Sequence, residues 1–133
     1  LYIAYSADIS EPTEVFHNNL RARFEQGEPA VVEAMRQFAQ LTVEAREAIF
    51  AGDARRLGRL IDANFDLRRS ICRLPQEQIA LVEAARGAGA SAKFAGSGGA
   101  IIGVCPDETV YCRLSTAMKK LDCKLIRPVV LPA

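Results

Sequence analysis

Hydrophobic and polar positions along this chain follow two periods, and the switches between them mark out nine elements. The opening run Leu1–Tyr5 is apolar and aromatic and predicts a strand. Ser10 suits a helix cap, with Pro12 in the first turn of a helix that runs to Gln26 and stops at Gly27. From Pro29, the positions Val31, Met35, Phe38, Thr42, Ala45 and Ile49 recur at three- and four-residue steps and predict a second helix ending before Gly52. Asp53 caps a third helix that reaches Ile71, and Pro75 opens a fourth that Gly87 and Gly89 close. Ala92–Ala95 and Ala100–Cys105 predict strands on either side of a glycine cluster. Asp107 caps a helix to Leu121, and Lys124–Leu131 predicts the last strand. Strand, four helices, two strands, helix, strand: this order predicts an α+β fold, a ferredoxin-like antiparallel sheet with helices on one face.

The third helix carries polar residues in an apolar stripe. With Leu57 at zero and each residue advancing about 100°, Leu60, Ile61 and Ile71 fall within about 60° of zero. Asn64 at about 340° and Arg68 at about 20° stand among them, whereas Asp66 and Arg69 point away, as on a solvated face. An arginine is rarely buried without a partner. Either Arg68 pairs with an acid or snorkels, with Asn64 capping a neighbouring chain end, or the stripe leaves the core there and lines a pocket.

Composition narrows the function classes. The 133 residues, half of them apolar and a quarter charged, fit one soluble globular domain with a real core. Seventeen Lys and Arg against sixteen Asp and Glu give a net charge of +1, which offers no electrostatic case for nucleic acid or membrane binding. No apolar run approaches the roughly 20 residues of a membrane span, and the opening residues show no signal-peptide pattern. Cys72, Cys105, Cys112 and Cys123 form no C-x-x-C pair and no cluster with histidine. They predict free thiols in a reducing cytoplasm rather than a metal site or a disulfide framework. His17, the lone histidine, takes no catalytic role. Leu1 already lies inside a strand-like run, so the chain is expected to begin in mid-protein.

The candidate chemistry lies in Gly96-Ser97-Gly98-Gly99, between the two central strands. Clustered glycines let backbone approach a ligand closely, and a turn of this kind can aim several N–H groups at an anion. The plain alternative is a tight turn with a bulge. A Walker A loop is excluded, because no Gly-Lys-Ser/Thr follows and Lys93 precedes the glycines. A dinucleotide fingerprint is excluded, because Ile101 stands at the third glycine and a strand follows.

The segment Lys93-Phe94-Ala95-Gly96-Ser97-Gly98-Gly99 resembles the C-terminal motif of the GHMP family of small-molecule kinases. Asn64-Phe65-Asp66-Leu67-Arg68-Arg69 and Gly87-Ala88-Gly89-Ala90-Ser91-Ala92 are similar to the branch that contains glucuronokinases and heptose-phosphate kinases. The resemblance implies that residues 1–133 are one C-terminal domain of a longer two-domain enzyme. It implies ATP and Mg²⁺, bound mainly by an N-terminal domain of the same chain that also holds any catalytic residue. Here it implies phosphate or nucleotide contacts from Lys93, Gly96, Ser97, Gly98 and Gly99, and contacts to a sugar or sugar-acid substrate from Asn64 and Arg68. It assigns no metal ligand to this segment, and the domain alone is expected to be inactive. Ala95 departs from the pattern, since many members carry Thr or Ser there. Two other classes stay open: a ferredoxin-like small-molecule sensor, and an oligomerisation module built on the helices at 28–51 and 53–71.

Overall fold

Four short strands, β1 (Tyr2–Tyr5), β2 (Lys93–Phe94), β3 (Ala100–Gly103) and β4 (Lys124–Ile126), form one antiparallel sheet in the order β2-β3-β1-β4. Helices α1 (Thr13–Glu25), α2 (Pro29–Phe50), α3 (Ala54–Ile71) and α4 (Gln76–Gly87) lie between β1 and β2, and α5 (Glu108–Lys120) connects β3 to β4. That order is the ferredoxin-like arrangement expected from the element sequence, with four helices where the simplest version has one. The computed structural model describes residues 1–6 and 13–129, with residues 13–18 described by backbone alone. Ser10 and Pro12, the His17 side chain and residues 130–133 lie outside the described residues.

Alternation along β1 sends Tyr2 and Ala4 into the core, in one cluster with Phe94 of β2 and Ile101 of β3. Ile79, Leu81, Val82 and Ala85 of α4 and Val110, Leu114 and Met118 of α5 close over that face. Burying each large aliphatic side chain contributes about 1.5–3 kcal/mol, so these two helices and the sheet hold the domain together. Ile3, Tyr5, Ala100 and Ile102, on the other face of the sheet, are only half-buried. Two caps act as predicted: Asp53 accepts from Arg56 N and Asp107 from Val110 N, each at 2.8 Å. Pro75 occupies the cap position before α4 rather than its first turn. Among the described residues no helix is long and apolar enough to cross a membrane.

The strands are shorter than the apolar runs suggested, because side chains intercept the ladder. Ala92 N donates to Asp62 Oδ1 at 2.8 Å, and Val104 N donates to Ser91 Oγ at 2.9 Å, so β2 and β3 end where those groups take over. β4 stops at Ile126, after which Arg127 swings onto Glu108 and the Tyr111 ring. Pro128 has no N–H to extend the ladder.

The buried stripe of α3 is also rotated from the one predicted. Its buried residues are Gly58, Ile61, Phe65 and Ile71, with Phe65 at 1 % exposure. Leu60 instead faces Leu41, Thr42 and Ala45 of α2. The helix therefore has two apolar contacts, one to the sheet and one to α2, and a wheel centred on leucines averages them. Asn64 and Arg68 flank the sheet-facing stripe instead of sitting in its middle.

Candidate functional site

The glycine cluster is the tip of the β2–β3 hairpin. Ala95 N donates to Ala100 O at 2.9 Å and closes a four-residue turn, Gly96–Gly99. Ser6 N, just after β1, donates to Gly99 O at 3.1 Å and ties the turn to the neighbouring strand. Gly99 has φ +73°, a left-handed conformation that glycine adopts without a steric penalty. At Gly98 the demand is space: a Cβ there would overlap the carboxamide of Gln78. Gln78 comes from the first turn of α4, is 1 % exposed, and its Oε1 has no hydrogen-bond partner among the described residues. The turn thus rests directly on a buried amide.

Arg68 reaches this turn from α3. Its Nη1 donates to the Gly96 carbonyl at 2.7 Å and its Nη2 to the Ser97 carbonyl at 3.2 Å. The guanidinium carbon lies 5.3 Å from the centroid of Phe94, which meets Phe65 edge-on at 5.2 Å. No acid pairs with Arg68 among the described residues, so the acid-pairing reading is replaced by a fork that fixes two loop carbonyls. Two of the five guanidinium donors are so engaged, which leaves the others for a ligand.

Lys93 stands beside it on β2, its Nζ donating to the Phe94 carbonyl at 3.2 Å. Burial, and then the nearby Arg68 charge, lower the Lys93 pKa from the ordinary lysine range. Burial also lowers that of Arg68. The N–H groups of Gly96, Gly98 and Gly99 donate to no group among the described residues. Two cations without a counter-acid among the described residues, next to these backbone donors, make a local positive potential suited to an anion. Because the native Lys93 pKa is depressed, the folded chain holds less proton there than the unfolded chain. Its contribution to stability therefore rises with pH from the lowered value up to the unfolded lysine value near 10.4. At neutral pH the charge is a standing cost. Lys93→Met is accordingly expected to keep or raise the melting temperature while weakening phosphate binding. A variant that melts earlier, with phosphate affinity intact, would show that the lysine is structural.

Asn64 and Lys93 share a cleft of about 180 Å³ with Leu41, Thr42, Ala45, Leu60 and Ile61. The α3 residues thus divide: Arg68 sits with the loop, while Asn64 meets Lys93 on the side towards α2. Asp66 and Arg69 are on the exposed side as expected, and both tie α3 to α4. Asp66 pairs with Arg86 at 2.7 Å and Arg69 with Glu83 at 3.2 Å. Sequence reasoning overlooked Gln78 and the platform formed by Phe94 and Phe65. Gln78 had a readable signal, as a polar residue in line with Leu81, Val82 and Ala85 at helical steps of three, four and seven.

Comparison with known proteins places this α+β domain in a family. The chain belongs to the GHMP kinase C-terminal family, which matches residues 45–120. It is similar to probable glucuronokinase 2 of Arabidopsis thaliana, at 35 % identity over 135 residues, covering 98 % of this chain and 36 % of that protein. Glucuronokinase 1 of the same plant is 35 % identical over 111 residues, covering 80 % of this chain and 30 % of that protein. The chain thus spans about a third of the length of these relatives. Among solved structures, L. major mevalonate kinase in complex with R-mevalonate matches with a TM-score of 0.80 at 25 % identity, covering 90 % of this chain and 37 % of that one. A Lin0012 protein from Listeria innocua matches with a TM-score of 0.83 at 14 % identity, covering 96 % and 38 %, and shares the fold.

Proposed function

We propose that this chain forms one wall of the substrate and phosphate cleft of an ATP-dependent sugar or sugar-acid kinase, with an N-terminal domain supplying the other wall. The observation that carries this reading is the pairing of N–H groups on Gly96, Gly98 and Gly99 with two cations, Lys93 and Arg68; among the described residues no side-chain acceptor meets the former and no acid the latter. Phosphoryl transfer depends on positioning and charge neutralisation more than on covalent chemistry, so backbone donors and a fixed cation are useful parts. The loop N–H groups and Lys93 bind phosphate oxygens. Arg68 holds the loop by its carbonyls, and its remaining donors, with Asn64, face the acceptor. The donor set fits an anion, whereas no group of three acidic, cysteine or histidine side chains stands ready for a cation among the described residues. In this reading Mg²⁺, which would supply charge neutralisation on the transferring phosphate, belongs mainly to the N-terminal domain, as the family resemblance implies. A sugar-acid acceptor is favoured by the names of the plant relatives.

The test is ADP release from Mg-ATP by the two-domain enzyme against sugar acids, free sugars, heptose phosphates and mevalonate, with the 133-residue chain alone as control. Turnover with a sugar acid by the longer protein and none by the chain alone is expected. Turnover by the isolated chain that a Gly96 substitution abolishes would overturn the division of labour. A folded protein that binds no ATP would overturn the kinase reading and favour a small-molecule sensor.

A further inference from the structure

A second cleft, of about 540 Å³, lies at the other end of α3 from the glycine loop. Arg59 and Arg68 are nine residues apart on that helix, a separation of about 14 Å along its axis. Arg55 and Arg59, one helical turn apart, line one wall, and Arg86 lines another. Arg56, between them in sequence, reaches Glu47 at 2.9 Å and Glu44 at 4.0 Å on α2. Arg55 and Arg59 have no acidic partner among the described residues. Among the described residues the only acid lining the cleft is Asp62, and it is already engaged by Arg86 at 3.0 Å and by Ala92 N at 2.8 Å. Asp62 and Asp66 both pair with Arg86, so the positive charge left without an acidic partner among the described residues is that of Arg55 and Arg59. The rest of its lining includes the apolar side chains of Ala90, Val104 and Pro106.

We propose that this cleft is a binding site for a small organic phosphate, separate from the glycine-loop site. A phosphate monoester carries close to two negative charges at neutral pH and offers oxygens at the spacing of a guanidinium fork. Arg55 and Arg59 grip the phosphate at the mouth, while the organic body lies against Ala90, Val104 and Pro106. The volume is within the range of small-molecule sites. Asp62 and Arg86 connect the cleft to β2, because Asp62 accepts from Ala92 N one residue before Lys93. A ligand that draws on Arg86 therefore acts on the strand that carries the glycine loop.

The experiment titrates the chain with phenyl phosphate and with inorganic phosphate, following amide shifts by NMR. Saturable binding of phenyl phosphate is expected, with shifts at Ala90 and Val104 and weaker binding of inorganic phosphate. The double variant R55A/R59A should lose roughly tenfold or more in affinity, given the strength of hydrogen bonds to charged groups. Arg68→Ala, at the distant site, should leave the phenyl phosphate affinity read from the Ala90 and Val104 amides within about twofold. Both arginines are exposed, so the double variant should retain its melting temperature; R59E, which reverses the charge at one position, is the second probe. No saturation, or affinity unchanged in R55A/R59A and R59E, would overturn the proposal. Binding lost in Arg68→Ala but kept in R55A/R59A would overturn it too, by placing the anion at the glycine loop. Equal affinity for the two probes would overturn the organic-ligand claim and assign the cleft to free phosphate.

Discussion

Gly98→Ala is expected to destabilise the chain by about 1–3 kcal/mol, the range for forcing extra volume into a packed site, and to abolish phosphate binding at the turn. The added methyl would overlap the carboxamide of Gln78, which is 1 % exposed, so the amide and the turn must move apart. Lifting the turn moves the N–H groups of Gly96 and Gly99 from where a phosphate would meet them. Gln78→Ala is expected to be much milder. It removes packing, but it also removes a buried acceptor that has no partner among the described residues, and such an acceptor costs about 1–3 kcal/mol. In the double variant the methyl enters the space left by the amide, so the two changes should couple favourably by about 0.5–3 kcal/mol. Urea unfolding of the four proteins measures this directly. An unchanged midpoint for Gly98→Ala, or a penalty that persists in the double variant, would refute the packing account.

Arg68→Ala is the second large effect. It removes two charge-assisted hydrogen bonds to loop carbonyls and the stacking on Phe94, while ending the cost of holding a half-buried cation. A net loss of about 2 kcal/mol is expected, since such bonds contribute about 1.5–3 kcal/mol each and partial exposure weakens them. Arg68→Lys should recover little, because an ammonium cannot span two carbonyls as a planar fork does. In the two-domain kinase proposed above, Arg68→Ala should raise the KM for the acceptor far more than the KM for ATP. Equal increases would mean that Arg68 supports the loop and does not touch the acceptor. The Lys variant separates the roles further: restored acceptor KM with a still-loosened loop would assign the charge to the acceptor and the fork to the turn.

Much of this architecture was legible in the chain itself. Asp53 and Asp107 announced their helices because a carboxylate that accepts from the third residue on is a local device, indifferent to the rest of the fold. The element order was enough for the ferredoxin-like sheet, since short connections and antiparallel pairing leave few alternatives. The glycine turn and its neighbouring lysine were visible as a motif. Strand lengths were not, because Asp62 and Ser91 cap the ladder from positions 30 and 13 residues away along the chain. The phase of α3 was not legible either. Its leucines and its phenylalanine serve different neighbours, and a single wheel cannot say which surface is the sheet.

The sequence by itself determined which backbone stretches are helical, the caps at Asp53 and Asp107, and the place of a turn of small residues between two strands. Those are properties of spacing, propensity and the missing Cβ, all local in the chain. Only the tertiary structure decided what Arg68 and Gln78 do. Arg68 meets Gly96 across 28 residues and Gln78 lies under Gly98 across the start of a different helix. Whether a buried cation finds an acid, a carbonyl or an open cleft depends on which surfaces pack together, and that is settled when the apolar faces of α3, α4 and the sheet are buried against one another.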